Sequence, residues 1–327
     1  MLFLNAEDIR KIFTVRDAIE SNREAFVLQA QGHVALPVRT NFAIREGDIS
    51  SFMPACATSY PLAGIKIVST YASNATKNLP AVNATVLLLD PETGATDALL
   101  DGTELTRLRT GAVSGLATEL LANADAQVGA LFGTGGQAAM QAEAMLAVRP
   151  LREIRVFDVD PARAADFIRR TAPLAERCGA RFIAASSPAA AVDGADVITT
   201  VTTSARPVFD GSLAKPGAHI NAVGAFQPHK RELDGTLVTR ADRIFIDNWE
   251  ACMAEAGDLL IPMREGGLAR EDIAGELGEL ILGRVPGRTD NAQITLMKTV
   301  GFGTLDIVAA HRALRKAVEA GVGTLLE

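Results

Sequence analysis

Three cysteines in 327 residues are too few, and too scattered, for a disulfide framework or a thiolate metal site. Cys56, Cys178 and Cys252 are odd in number and contain no CxxC pair, which fits a reducing compartment. Long apolar runs are missing as well. Asp, Arg or Gly interrupts each one after a few residues, well short of the ~20 that a spanning helix needs, so no membrane partner is expected. The opening MLFLNAEDIRKIF turns acidic early and has no apolar core of signal-peptide length, which makes the cytoplasm the expected location. Nor is there a basic excess: 32 Lys and Arg face 39 Asp and Glu, a net charge of −7, which argues against nucleic acid as partner. Internal repeats and low-complexity segments are absent. His33, His219 and His311 show no ligand spacing with one another or with cysteine, and no metal is expected.

What is present is apolar. With 48% hydrophobic and 22% charged residues the chain reads as a globular protein of about two domains, not a disordered one. Helical spacing of Ile12, Ala18, Ile19, Ala25, Phe26 and Leu28 predicts one amphipathic helix over 8–31. Short strands are predicted at 39–44, 49–54, 64–71 and 84–89, with a turn at Asp90–Gly94, giving a mostly antiparallel sheet flanked by a helix. From Gly111 the texture changes to an Ala- and Leu-rich helix over 112–122, then to strands and helices in alternation. Strands are predicted at 128–132, 154–157, 196–201, 219–223 and 243–247, and helices at 137–148 and 161–178. Buried strands joined by helices of this length predict an α/β fold, a Rossmann-type doubly wound parallel sheet. The first block, closed by a helix over 306–326, predicts an α+β domain for substrate binding and dimerisation. The expected division is 1–118 with 302–327 against a dinucleotide-binding domain at 119–301.

Gly133-Thr-Gly135-Gly-Gln-Ala138 lies between a predicted strand and a predicted helix, the context in which GxGxxA binds a dinucleotide. Gly133 permits the tight turn, Gly135 lets backbone approach a pyrophosphate, and Ala138 lets the helix pack close to the strand. Thr134, Gly136 and Gln137 are expected to bond the phosphates. Asp158 ends the next strand, where a carboxylate accepts ribose hydroxyls and repels a 2′-phosphate. This favours NAD(H), with NADP(H) left open. Asp160, directly before Pro161, suits a helix cap better. Thr202, Thr203, Val223 and Gly224 fall where later strands end, the edge at which an open α/β sheet holds its ligand.

Lys66 lies within Ala63-Gly-Ile-Lys-Ile-Val-Ser69, an apolar strand whose lysine needs a cleft or a partner. Asp101-Gly-Thr-Glu-Leu-Thr-Arg-Leu-Arg109-Thr-Gly-Ala-Val-Ser114 precedes the glycine loop. Together with that loop, Ile220-Asn-Ala-Val-Gly224, Asn78-Leu-Pro80, the Asp90–Gly94 turn and Lys298-Thr-Val-Gly301, this string resembles the ornithine cyclodeaminase/μ-crystallin family along essentially the whole chain. The resemblance implies nicotinamide-dependent chemistry on a small α-imino or α-amino acid and a homodimer joined through the first domain. It carries the substrate carboxylate to Arg109 and Arg39 and a lysine role to Lys66. Planar guanidinium forks suit a carboxylate, and two cations offset its desolvation.

One departure separates the activities within that resemblance. Cyclodeaminases and alanine dehydrogenases of the family have an aspartate after the INAxG string, which here aligns most simply with Phe226. Phenylalanine cannot take the proton that hydration of an imine requires, whereas reduction of a cyclic imine needs only hydride and one proton. An aromatic wall also packs against a pyrroline or piperideine ring. The expected activity is therefore reduction of a cyclic ketimine carboxylate to L-proline or L-pipecolate, with Lys66 in contact with the substrate, bonding its carboxylate or supplying the proton to nitrogen, and Phe226 against the substrate. The alternative is an ornithine cyclodeaminase or alanine-type dehydrogenase. Joint retention of Arg39, Lys66 and Arg109 speaks against a binding protein without turnover. His229 and Thr85 are weaker candidates, and Asp306 reads equally as a helix-start residue.

Overall fold

The computed structural model describes residues 1–59, 61–77 and 79–326, so Asn78 of the Asn78-Leu-Pro80 string lies outside the described residues. The chain forms two compact units, Met1–Arg109 with the stretch from Phe302 onward, and Thr110–Gly301. The first boundary thus falls before the expected residue 118.

The first unit is built on a sheet of β1 (Leu2–Leu4), β2 (Val34–Ala35), β3 (Thr40–Arg45), β4 (Asp48–Ala57), β5 (Leu62–Tyr71), β6 (Val82–Leu89), β7 (Thr96–Asp101) and a terminal strand, Thr324–Leu325. The order is terminal strand, β1, β7, β6, β5, β4, β2, with β3 also on β4. β1 and β7 run parallel, and the remaining pairs among the described residues are antiparallel. The single helix expected over 8–31 is two: α1 (Ala6–Ile12) and α2 (Val15–Ala30). Thr14 breaks them. Its hydroxyl accepts the Asp17 N–H at 3.2 Å while the Asp17 carboxylate accepts the Thr14 N–H at 2.9 Å, a capping box that fixes Thr14 in extended backbone. α3 (Gly102–Leu121) starts directly after β7, where the Asp101 carboxylate accepts the Glu104 N–H at 2.8 Å. The C-terminal helix, Gly303–Ala320, begins three residues before Asp306 and stops at Gly321, whose φ of 64° only glycine adopts readily.

The second unit holds β8 (Val128–Phe132), β9 (Glu153–Phe157), β10 (Arg181–Ala184), β11 (Val197–Thr200), β12 (His219–Ala222), β13 (Arg243–Ile246), β14 (Ile273–Glu276) and β15 (Thr295–Lys298). All described pairs are parallel, in the order β10-β9-β8-β11-β12-β15-β13-β14. The order reverses between β8 and β11, the switch point of a doubly wound sheet. α4 (Ala138–Val148) follows β8, and α5 (Pro161–Arg177) follows β9 behind its Asp160 cap. Ala130, Ile198, Ile220 and Leu296 of the central strands are fully buried, and Phe132 stacks on Phe209 at 5.2 Å. Among the described residues no helix is long and apolar enough to cross a membrane.

Candidate active site

In the first unit the site begins with two glycines. A Cβ at Gly64 of β5 would lie 3.2 Å from Ile307 Cγ2 and 2.4 Å from Leu87 O, and one at Gly303 would lie 3.1 Å from Pro54 O. Without them the C-terminal helix could not settle so closely on β4 and β5. Lys66 shares the inward face of Gly64, two residues along the strand, and pairs in register with Met53 and Val86. Asp306, in the first turn of the helix, meets it: Lys66 Nζ stands 2.7 Å from Asp306 Oδ2. Arg109 arrives from α3, and its Nε donates to Asp306 Oδ1 at 2.8 Å. Asn22 of α2 secures that stretch by donating to Arg109 O at 2.7 Å. The three charged side chains are buried, Lys66 at 1% exposure, Arg109 at 6% and Asp306 at 0%.

Burial, and next the Arg109 guanidinium, bring the Lys66 ammonium down to about 7 against the opposing pull of Asp306, with Arg39 adding to the lowering. Asp306 shows the converse balance. Burial pushes its carboxyl up, but Arg109 and Lys66 outweigh this and hold it below the usual carboxylate range. Arg39 is half-buried and directly precedes β3 instead of lying on it. The cluster has a surplus of positive charge, which suits an anionic ligand. Sequence reasoning left Asp306 between a site role and a helix start; it is both a first-turn acid and the bridge between two cations. Its position in the apolar run Leu305–Ala310 was the available signal, because a carboxylate there is buried and must be paired.

In the second unit Gly133 has a φ of 95°, and a Cβ on it would lie 2.8 Å from Val201 O. Gly135 and Gly136 face open space, with nothing within 4 Å of an added Cβ, while Ala138, the first residue of α4, is fully buried. An open glycine edge at a helix N-terminus fits a pyrophosphate. Thr134 is also tied within the protein. Its hydroxyl and N–H both donate to Asp158 Oδ2, at 2.6 and 3.1 Å, and so tie the loop to the tip of β9. Burial raises the Asp158 carboxyl, but its bonds from Thr134 and the Asp160 N–H and the nearby Arg163 hold it below the ordinary range. Arg163 Nε lies 4.0 Å from Oδ2. A cavity of about 340 Å³ beside Thr134 is lined by Ala162, Arg163, Asp166 and Arg170.

Thr202 packs between neighbours at the sheet's carboxyl edge. A Cβ on Gly133 would come within 3.1 Å of its Cγ2, and one on Gly224 within 2.2 Å of its O. Val223 is buried and Thr203 exposed. Phe226, expected to wall the substrate, is 46% exposed on the loop after β12, and His229 on the same loop is exposed too. Thr85 is exposed on β6. Behind the tips of β11 and β12 lies a buried network of Glu232, Asp258 and Lys298 that sequence reasoning did not single out. Among the described residues no group of three or more His, Cys, Asp or Glu could hold a metal ion.

Comparison with known proteins matches residues 1–321 to the ornithine cyclodeaminase/mu-crystallin family. A Δ1-pyrroline-2-carboxylate reductase of Bacillus cereus is 35% identical over 328 residues, covering 100% of both chains. The structure of Thermococcus litoralis Δ1-pyrroline-2-carboxylate reductase in complex with NADH and L-proline superposes with a TM-score of 0.95 at 35% identity, again over 100% of both chains. An archaeal alanine dehydrogenase dimer with bound NAD gives 0.91 at 31% identity, over 100% of this chain and 99% of that one. The glycine loop, the Lys66–Asp306–Arg109 cluster and these end-to-end matches agree: the chain belongs to the ornithine cyclodeaminase/mu-crystallin family.

Proposed function

We propose that this protein is an NAD(H)-dependent reductase of cyclic ketimine carboxylates, converting Δ1-pyrroline-2-carboxylate or its six-membered homologue to L-proline or L-pipecolate. The observation that carries this reading is the buried cluster in which Lys66 Nζ stands 2.7 Å from one Asp306 carboxylate oxygen and Arg109 Nε 2.8 Å from the other. When bound, NADH supplies the hydride to the imine carbon. Arg39 and Arg109 hold the substrate carboxylate and so fix the orientation of the ring, from which much of the rate gain comes. Lys66 gives its proton to the imine nitrogen, and the resulting iminium is a far better hydride acceptor. Asp306 keeps Lys66 aimed. Held ionised between two cations, it is too weak a base to activate water, so its presence does not restore the hydration step that Phe226 cannot perform. The relatives named as pyrroline-carboxylate reductases support the same assignment.

Pure protein with NADH and either cyclic imine is expected to oxidise the cofactor, followed by its near-ultraviolet absorbance. Ammonia release from ornithine without net cofactor turnover, or NAD reduction with L-alanine, would sink the reading in favour of the alternative chemistries. In the same assay NADH is expected to show a lower KM than NADPH, because Asp158 repels a 2′-phosphate even with Arg163 beside it. Equal values would remove Asp158 from cofactor choice.

The proposal includes a homodimer formed through the first unit. Val38, Phe42 and Ile44 on and beside β3, and Ile67 on β5, expose 64%, 53%, 51% and 39% of their surface, an apolar face that a second copy would cover. Light scattering is expected to give twice the 34.4 kDa chain mass, and Phe42→Glu is expected to yield monomer. A cytoplasmic location fits the three unpaired cysteines.

A further inference from the structure

The tips of β11 and β12 hang on one buried side chain. Glu232 Oε1 accepts the Thr202 N–H at 2.6 Å. Its Oε2 accepts the Gly224 N–H at 2.6 Å, the Ala225 N–H at 3.2 Å and the Thr200 hydroxyl at 3.0 Å. Gly224 permits this closeness, since a Cβ there would lie 2.6 Å from Glu232 Oε1. Glu232 is itself held from behind. Asp258 Oδ1 accepts the N–H groups of Glu232 and Leu233 at 2.6 and 3.0 Å. Asp258 Oδ2 pairs with Lys298 Nζ at 2.8 Å, and Lys298 donates also to Ala225 O at 2.6 Å and Ala222 O at 3.3 Å.

Three buried charges are a costly way to close a core, which apolar side chains of similar volume fill at least as well. What they provide here is geometric: three N–H donors from two separate loops and the hydroxyl at the end of β11 converge on one carboxylate, and both loops lie at the sheet's carboxyl edge past the switch point. In a doubly wound sheet one half, here β8 to β10 with Asp158, serves the adenosine side of a dinucleotide, and the half starting at β11 serves the nicotinamide side. We infer that Glu232 is a positioning residue that clamps the tips of β11 and β12 into one rigid ledge for the nicotinamide half of the cofactor. This rests on the reading above that Thr202 and Gly224 lie at the sheet edge that holds the cofactor.

Glu232→Gln presents amide hydrogens to one set of backbone donors and so loosens one tip. The variant is expected to bind NADH ~10–100-fold more weakly, the loss of a buried charged hydrogen bond. Its dissociation constant for ADP-ribose, which lacks the nicotinamide, is expected to stay at the wild-type value. Unchanged NADH binding, or equal weakening for both ligands, overturns the inference. Two measurements on the wild type stand even where the variant does not fold. Hydrogen exchange of the cofactor-free protein is expected to show slow amides at Thr202, Gly224 and Ala225, and exchange at open-loop rates removes the clamp. NADH, but not ADP-ribose, is expected to shift the amide resonances of these residues. Equal shifts with both ligands refute the placement of the ledge while leaving the clamp itself intact.

Discussion

Lys66→Met is expected to lower kcat for imine reduction by ~10²–10⁴, the range a positioned proton donor contributes. Methionine is unbranched like lysine and one atom shorter, and it enters an apolar strand paired with Met53 and Val86, so the sheet should accept it. The pH profile distinguishes lost chemistry from disturbed packing. In the wild type, kcat/KM for the imine should fall as pH rises through about 7, because the protonated form of Lys66 is the competent one and is lost there. In the complex, a substrate carboxylate beside Lys66 favours the ammonium, so the corresponding limb of kcat should lie at higher pH. Lys66→Met should lose the limb altogether. A variant that retains wild-type kcat, or the same limb with reduced amplitude, would show that the proton comes from elsewhere.

The parts legible in the sequence are those whose cause is local. A glycine turn between an apolar strand and an Ala-rich helix needs only adjacent residues, and Gly133, Gly135 and Ala138 stand as that pattern requires. The break between α1 and α2 was equally local, written in Thr14-Val-Arg-Asp17, but apolar spacing continues across it and masks the cap. Asp306 is a different case. Its meaning depends on Lys66, far away in the chain, and on Gly64 and Gly303 allowing a helix to approach a strand, none of which periodicity encodes. Glu232 was hidden for the same reason: in a Lys-Arg-Glu run it reads as solvated surface, yet it is fully buried. Thr134 carries a bond that local pattern does not foretell: its hydroxyl donates to Asp158 at 2.6 Å across the loop.

Asp306→Asn is expected to have two separable consequences. The first is stability. Removing the carboxylate leaves Lys66 and Arg109 buried without a counter-charge, a loss of ~3–5 kcal/mol for a broken buried pair. The sign with pH follows from the lowered carboxyl of Asp306. Its contribution is complete above the unfolded carboxylate value, near ~4, and disappears as pH falls through the lower folded value. Denaturant unfolding should therefore show the largest gap between wild type and variant at neutral pH and a shrinking gap in acid. The second consequence is catalytic. Asp306 is the group that holds the Lys66 proton against burial and the two arginines, so without it Lys66 titrates below about 7 and the kcat/KM limb moves to lower pH. Lys66→Met combined with Asp306→Asn should be less destabilising than the sum of the single changes, because both single changes break the same Lys66–Asp306 pair, which the double variant loses only once. If Asp306→Asn kept both the wild-type limb and the wild-type stability, the carboxylate would be a helix-start residue after all, and Lys66 would have to be poised by Arg39 and Arg109 alone.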